Sequence, residues 1–105
     1  MTNDTPRTTV GLDLGTQWSH YALLDEDGGL VRMARLRTTN EGFEELFGNR
    51  ERTRIVLEVG GQSPWVSRLL TELGHEVIVA NARRVQLIAK SLRKRDASVV
   101  SLTFL

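Results

Sequence analysis

The chain has 105 residues and a formal net charge of +1 at pH 7, which leaves room for one domain. It contains no cysteine, so a disulfide framework and a thiolate zinc site are excluded, and a reducing, cytoplasmic setting is the expectation. No apolar run approaches the ~18 residues that span a bilayer, so no membrane association is expected. The hydrophobic fraction of 40% and charged fraction of 26% are those of an ordinary globular protein.

Residues 1–7 are polar, lack the apolar centre of a secretory signal, and read as a short disordered lead-in. Thr8 to Gly15 then alternates, with Val10, Leu12 and Leu14 on one side and Gly11 and Asp13 on the other, the period of a strand. Gln17 to Leu24 reads as a second strand, closed by the turn Asp25-Glu26-Asp27-Gly28-Gly29. Gly29 to Thr38 resumes an extended pattern, blurred at Met33-Ala34-Arg35. Three strands joined by tight turns make an antiparallel meander.

The period then changes. Asn40 is placed to cap a short helix with apolar positions Phe43, Leu46 and Phe47 and a stop at Gly48. Arg54 to Val59 is an apolar strand ended by Gly60-Gly61. Ser63-Pro64 reads as a helix start, the serine oxygen accepting an orphan amide. Trp65, Val66, Leu69, Leu70 and Leu73 fall on one face before Gly74 closes the helix. His75 to Ala80 is another apolar strand, and Arg83 to about Lys94 is expected to be helical. The order β-β-β-α-β-α-β-α predicts one mixed α/β sheet covered by helices.

Asp13 is unusual because aspartate is depleted in strands, and its flanking glycines remove bulk where a backbone or ligand can approach. Glu58 interrupts the apolar run Ile55-Val56-Leu57-Glu58-Val59 just before Gly60. Ligand-binding groups in α/β sheets collect at the carboxyl ends of parallel strands. If the first and fourth strands are neighbours, both carboxylates project there, and a divalent metal relieves their repulsion. Taken singly, Glu58 is equally well a solvent-facing glutamate, and Asp96 a surface charge. From Asn81 to Arg95 there are six basic residues (Arg83, Arg84, Lys90, Arg93, Lys94, Arg95) and no acidic one. That run fits either a solvated helix or a phosphate-binding face. His20 and His75 share no metal-like spacing, and His75 reads as a turn residue. Trp65 and Phe43 read as helix–sheet packing. A G-x-S-x-G motif, a P-loop and a G-x-G-x-x-G motif are all lacking.

The stretches Val10-Gly11-Leu12-Asp13-Leu14-Gly15, Leu57-Glu58-Val59-Gly60-Gly61-Gln62-Ser63-Pro64-Trp65 and Leu73-Gly74-His75-Glu76-Val77-Ile78-Val79-Ala80-Asn81-Ala82-Arg83-Arg84-Val85 resemble the DEDD-type transposases of the insertion-sequence one-ten family, relatives of the Piv DNA invertase. The resemblance covers residues 8–96. It implies a RuvC-like nuclease domain of the RNase H superfamily, in which a first-strand aspartate, a fourth-strand glutamate and two aspartates of a later helix hold divalent metal, normally magnesium. Asp13 and Glu58 match the first two positions, and Asp96, after Lys94-Arg95, matches the third. The fourth falls at Val99, which has no ligand atom. The resemblance implies DNA as substrate and, for some members, a guide RNA made from the element's own end; it leaves a homo-oligomer open. The basic residues from Arg83 to Arg95 would then contact phosphates beside the site.

Residues 97–105 are uncharged and depart from the family, whose full proteins continue into a second domain bearing a catalytic serine. The expectation is therefore an incomplete domain from a truncated or frameshifted gene, inactive in DNA cleavage and transposition. Two alternatives stand beside it. One is a non-catalytic nucleic-acid-binding remnant of the same ancestry. The other rests on Gly11-Leu12-Asp13-Leu14-Gly15-Thr16, which is also similar to the phosphate-binding turn of actin-like and sugar-kinase ATPases.

Overall fold

A computed structural model describes residues 5–81. The expected last helix, the basic residues Arg83, Arg84, Lys90, Arg93, Lys94 and Arg95, Asp96, Val99 and the divergent tail lie outside the described residues, as does most of the polar lead-in.

The described chain is a mixed α/β unit of five strands and two helices: β1 Thr9–Asp13, β2 Trp18–Leu24, β3 Leu30–Arg37, α1 Asn40–Phe47, β4 Arg54–Glu58, α2 Ser63–Glu72 and β5 Glu76–Ala80. The strands form one sheet in the order β3-β2-β1-β4-β5. The meander β1-β2-β3 is antiparallel, and β4 and β5 join it in parallel with β1. Two parallel neighbours need crossovers, and α1 and α2 fall in them. Among the described residues no helix is long and apolar enough to cross a membrane.

Alternation decides which face the helices cover. Val10, Leu12, Tyr21, Leu23, Leu36, Ile55 and Leu57 form one buried cluster with Phe43 and Phe47 of α1 and Val66 and Leu70 of α2. Phe43 joins the two helices, stacking on Phe47 and meeting the Trp65 ring edge-on at 5.8 Å. Trp65 thus packs as its sequence position suggests, its indole N–H donating to Gln62 Oε1. The second face carries the other set, of which Ala22, Leu24 and Val56 are buried, and Asp13 and Glu58 belong to it by the same alternation.

Local chemistry differs from the sequence reading at three points. The cap of α1 is Thr39, in extended conformation, whose hydroxyl accepts from the Gly42 amide at 3.0 Å, so Asn40 is already the first helical residue. Ser63 does not cap α2: its hydroxyl donates to the Gly60 carbonyl and accepts from the Gly60 amide, closing the turn that follows β4. In β3, Met33, Ala34 and Arg35 pair regularly with Ala22, Tyr21 and His20, and the irregularity lies between Leu23 and Leu24. The turn before β3 is as expected. Asp25 Oδ1 accepts from the amides of Asp27 and Gly29, and Gly28 takes φ of 83°, a conformation that favours glycine.

Candidate functional site

β1 and β4 run side by side in parallel, with Leu12 opposite Leu57. The next residue on each strand is Asp13 and Glu58, each the last residue of its element. Both leave the sheet on the face away from α1 and α2, at the carboxyl ends of the two central parallel strands. The juxtaposition that the sequence made conditional on neighbouring strands is therefore present. Asp13 is exposed and Glu58 half-buried. Burial of Glu58, and secondarily the negative charge of Asp13, raise the Glu58 carboxyl above its ordinary value.

The surroundings of the pair are built by close backbone packing on one side and open space on the other. A Cβ on Gly15 would lie 2.2 Å from the Trp18 carbonyl oxygen, so this glycine is required by the turn between β1 and β2. Its amide also donates to Ser19 Oγ, which is bonded to Thr38 Oγ1 in the interior. That gives Gly15 a structural reason independent of any phosphate-binding turn. A Cβ on Gly60 or Gly61 would meet nothing within 4 Å. The segment just beyond Glu58 is therefore open.

Register extends the site across the sheet. Asp13 pairs with His20 of β2, and His20 pairs with Arg35 of β3, so Arg35, His20, Asp13 and Glu58 form one row on the outer face. Trp18, two residues before His20, lies on the same face opposite Arg37. The guanidinium carbons of Arg35 and Arg37 sit 4.1 and 4.4 Å from its ring centroid. Sequence reasoning missed Trp18, Arg35, Arg37 and the placement of His20. The signal was the register of the two hairpins, which can be counted only once the turns are known.

His75 is a correction of a different kind. Read as a turn residue, it is buried and both ring nitrogens are engaged. Nδ1 accepts from the Thr53 amide at 3.1 Å and Nε2 faces the Phe47 carbonyl at 2.8 Å. Because the Thr53 N–H can only donate, the proton belongs on Nε2 and is given to Phe47 O. Neither nitrogen is available to a metal.

Among the described residues no group of three or more His, Cys, Asp or Glu side chains could hold a metal ion. What is present is a pair of carboxylates, hard oxygen donors whose mutual repulsion a cation would relieve. Magnesium keeps several waters and is commonly bound through one or two carboxylates, so the pair fits that ion. No known family model matches the chain, and no curated protein matches it.

Proposed function

We propose that this chain carries an RNase H-like, metal-carboxylate domain of the DEDD-type transposase lineage, which engages DNA at the Asp13–Glu58 end of the sheet. The observation that carries the reading is the placement of those two carboxylates side by side where β1 and β4 end. The element order β-β-β-α-β-α-β through Ala80 agrees with it, as do the motif resemblances around Asp13 and Glu58.

In this reading Asp13 and Glu58 would hold a magnesium ion, and the resemblance implies Asp96 as a third carboxylate. Bound there, the ion supplies charge stabilisation to a phosphodiester's attacking and leaving oxygens. The side chains themselves do less. Glu58 contributes a half-buried carboxylate and Asp13 an exposed one, and the open space beside Gly60 and Gly61 leaves room for a strand to approach the pair. Valine at position 99 offers no oxygen where the resemblance implies a fourth ligand, so metal binding is weak and turnover is absent.

Carboxylate-resolved NMR during a magnesium titration tests this, alongside a nicking assay on supercoiled DNA. The expected result is a weak, saturable shift at Asp13 and Glu58 that disappears in Asp13→Ala, with no nicking. Absence of any magnesium response at the pair overturns the metal site. Nicking that is lost in Asp13→Ala overturns the assigned inactivity.

A further inference from the structure

The outer face of β2 and β3 holds a charged feature that the metal pair does not use. Arg35 and Arg37 are both exposed, and the ion pair formed among the described residues is Arg54 with Glu76, at the opposite edge of the sheet on β4 and β5. Neither Arg35 nor Arg37 has a carboxylate partner among the described residues. Their guanidinium groups instead lie against the half-buried ring of Trp18. Stacking on an indole holds a guanidinium's orientation while leaving its N–H edge free to donate. Two long side chains that would otherwise move independently are thus held in one place with unspent positive charge.

Their position gives the charge a direction. Arg35 is joined through the register partners His20 and Asp13 to Glu58, and strands lie about 4.8 Å apart. The guanidinium pair therefore stands about two strands from the carboxylates, on the same face. A polyanion lying across β3 and β2 passes over Arg37 and Arg35 and arrives at Asp13. Glu41 and Glu45 of α1 share a cleft with Arg32, Arg35 and Arg37 at the edge of β3. They belong to α1, and among the described residues neither forms an ion pair with Arg35 or Arg37.

We infer that Arg35 and Arg37, braced by Trp18, grip the phosphate backbone of a nucleic-acid strand and lead it across the sheet to the Asp13–Glu58 pair. The inference rests on the proposed nucleic-acid function and names the surface that holds the strand. Guanidiniums suit this occupant because their planar forks match phosphate oxygens in bidentate geometry. Contacts of this kind set register without reading sequence.

The test uses the full chain, with fluorescein-labelled single-stranded and duplex DNA as probes, and reads anisotropy across a salt series. Arg35→Ala/Arg37→Ala is compared with Arg52→Ala/Arg68→Ala, which removes the same charge from other exposed positions. The expected result is about tenfold weaker binding for the first variant. For single strands its salt slope falls by about 1.4, the equivalent of two phosphate contacts. Arg35→Lys/Arg37→Lys should recover the slope but not the full affinity, because an ammonium lacks the planar fork. Equal losses in the two alanine variants overturn the inference, as does a wild-type chain that binds neither probe. A change confined to self-association, read by sedimentation, also overturns it by making this face a protein interface. The magnesium titration of the Arg35→Ala/Arg37→Ala variant stays as in wild type. A failure of the arginine surface is therefore distinguishable from a failure of the metal site.

Discussion

Asp13 and Glu58 end adjacent parallel strands one register step beyond the Leu12–Leu57 pair, and the negative charge of Asp13 helps to raise the proton affinity of Glu58. Two consequences can be measured. Asp13→Asn removes the repulsion and lowers the Glu58 titration midpoint, leaving the part that burial causes. Carboxylate NMR against pH reads this directly, and an unmoved midpoint would show that the two charges do not interact.

The same shift has a definite sign in stability. Because the folded state holds the Glu58 proton more tightly than the unfolded chain, the folded state binds more protons in the window between the two midpoints. Stability contributed by the protonated form is complete below the unfolded midpoint and is lost as pH rises through the folded one. At neutral pH Glu58 is therefore a modest liability. Glu58→Gln should be more stable than wild type at pH 7 and close to it at acid pH, by a fraction of a kcal/mol since the group is only half-buried. A urea midpoint difference that grows on acidification would refute the assignment.

Magnesium reverses this penalty if it binds. At an ion concentration equal to its dissociation constant, stabilisation is RT ln 2, about 0.4 kcal/mol, which corresponds to about 2 °C in Tm for a domain of this size. Asp13→Asn should abolish the rise, and calcium, which accepts more flexible oxygen sets, should produce one of similar size. A rise that persists in Asp13→Asn places the ion elsewhere.

The carboxylates were legible in the sequence because each is an exception to a local rule: Asp13 alternates with Val10 and Leu12, and Glu58 breaks an apolar run. Their meeting depended on strand order, which alternation alone does not specify. The strands and both helices were legible for the reason that Leu12, Ile55, Phe43 and Val66 repeat at the periods of their elements. Arg35 and His20 were not legible as neighbours of Asp13, since their alignment is set by two turns together. The hydroxyl of Ser63 was misassigned because a helix cap and a closed turn ask for the same residue at the same place. Thr39 and Asn40 are adjacent and both competent caps, asparagine being the more favoured by type, and only the backbone shows that Thr39 takes the position.

Gly42 separates helix propensity from packing. Alanine is preferred over glycine in a helix by about 0.5–1 kcal/mol, so Gly42→Ala in α1 would ordinarily stabilise. Here the new Cβ would lie 2.2 Å from the Arg37 carbonyl oxygen, and Arg37 is tied into the sheet opposite Trp18. Relieving such a contact costs about 1–3 kcal/mol, so the net effect should be destabilising by about 1–2 kcal/mol. Denaturant unfolding of the variant decides between propensity and packing, and a gain in stability would mean that α1 moves freely on β3.

His75 offers the sharpest contrast between a sequence reading and a structural role. Its ring connects the Thr53 amide, just before β4, to the Phe47 carbonyl at the end of α1, and it packs edge-on against the Phe47 ring at 5.6 Å. Truncation to alanine strands the Thr53 N–H in the interior and leaves Phe47 O with only a long contact from the Arg50 amide at 3.4 Å. An unsatisfied buried donor costs about 1–3 kcal/mol, and the space left by the ring adds to that, so His75→Ala should lose about 3 kcal/mol. His75→Gln, which keeps one donor and one acceptor, should lose less. Both should leave the magnesium response at Asp13 and Glu58 unchanged while the chain remains folded, because the ring lies on the helix-bearing side of the sheet. If His75→Ala abolished that response in a fully folded chain, the histidine would belong to the site and not to the scaffold beneath it.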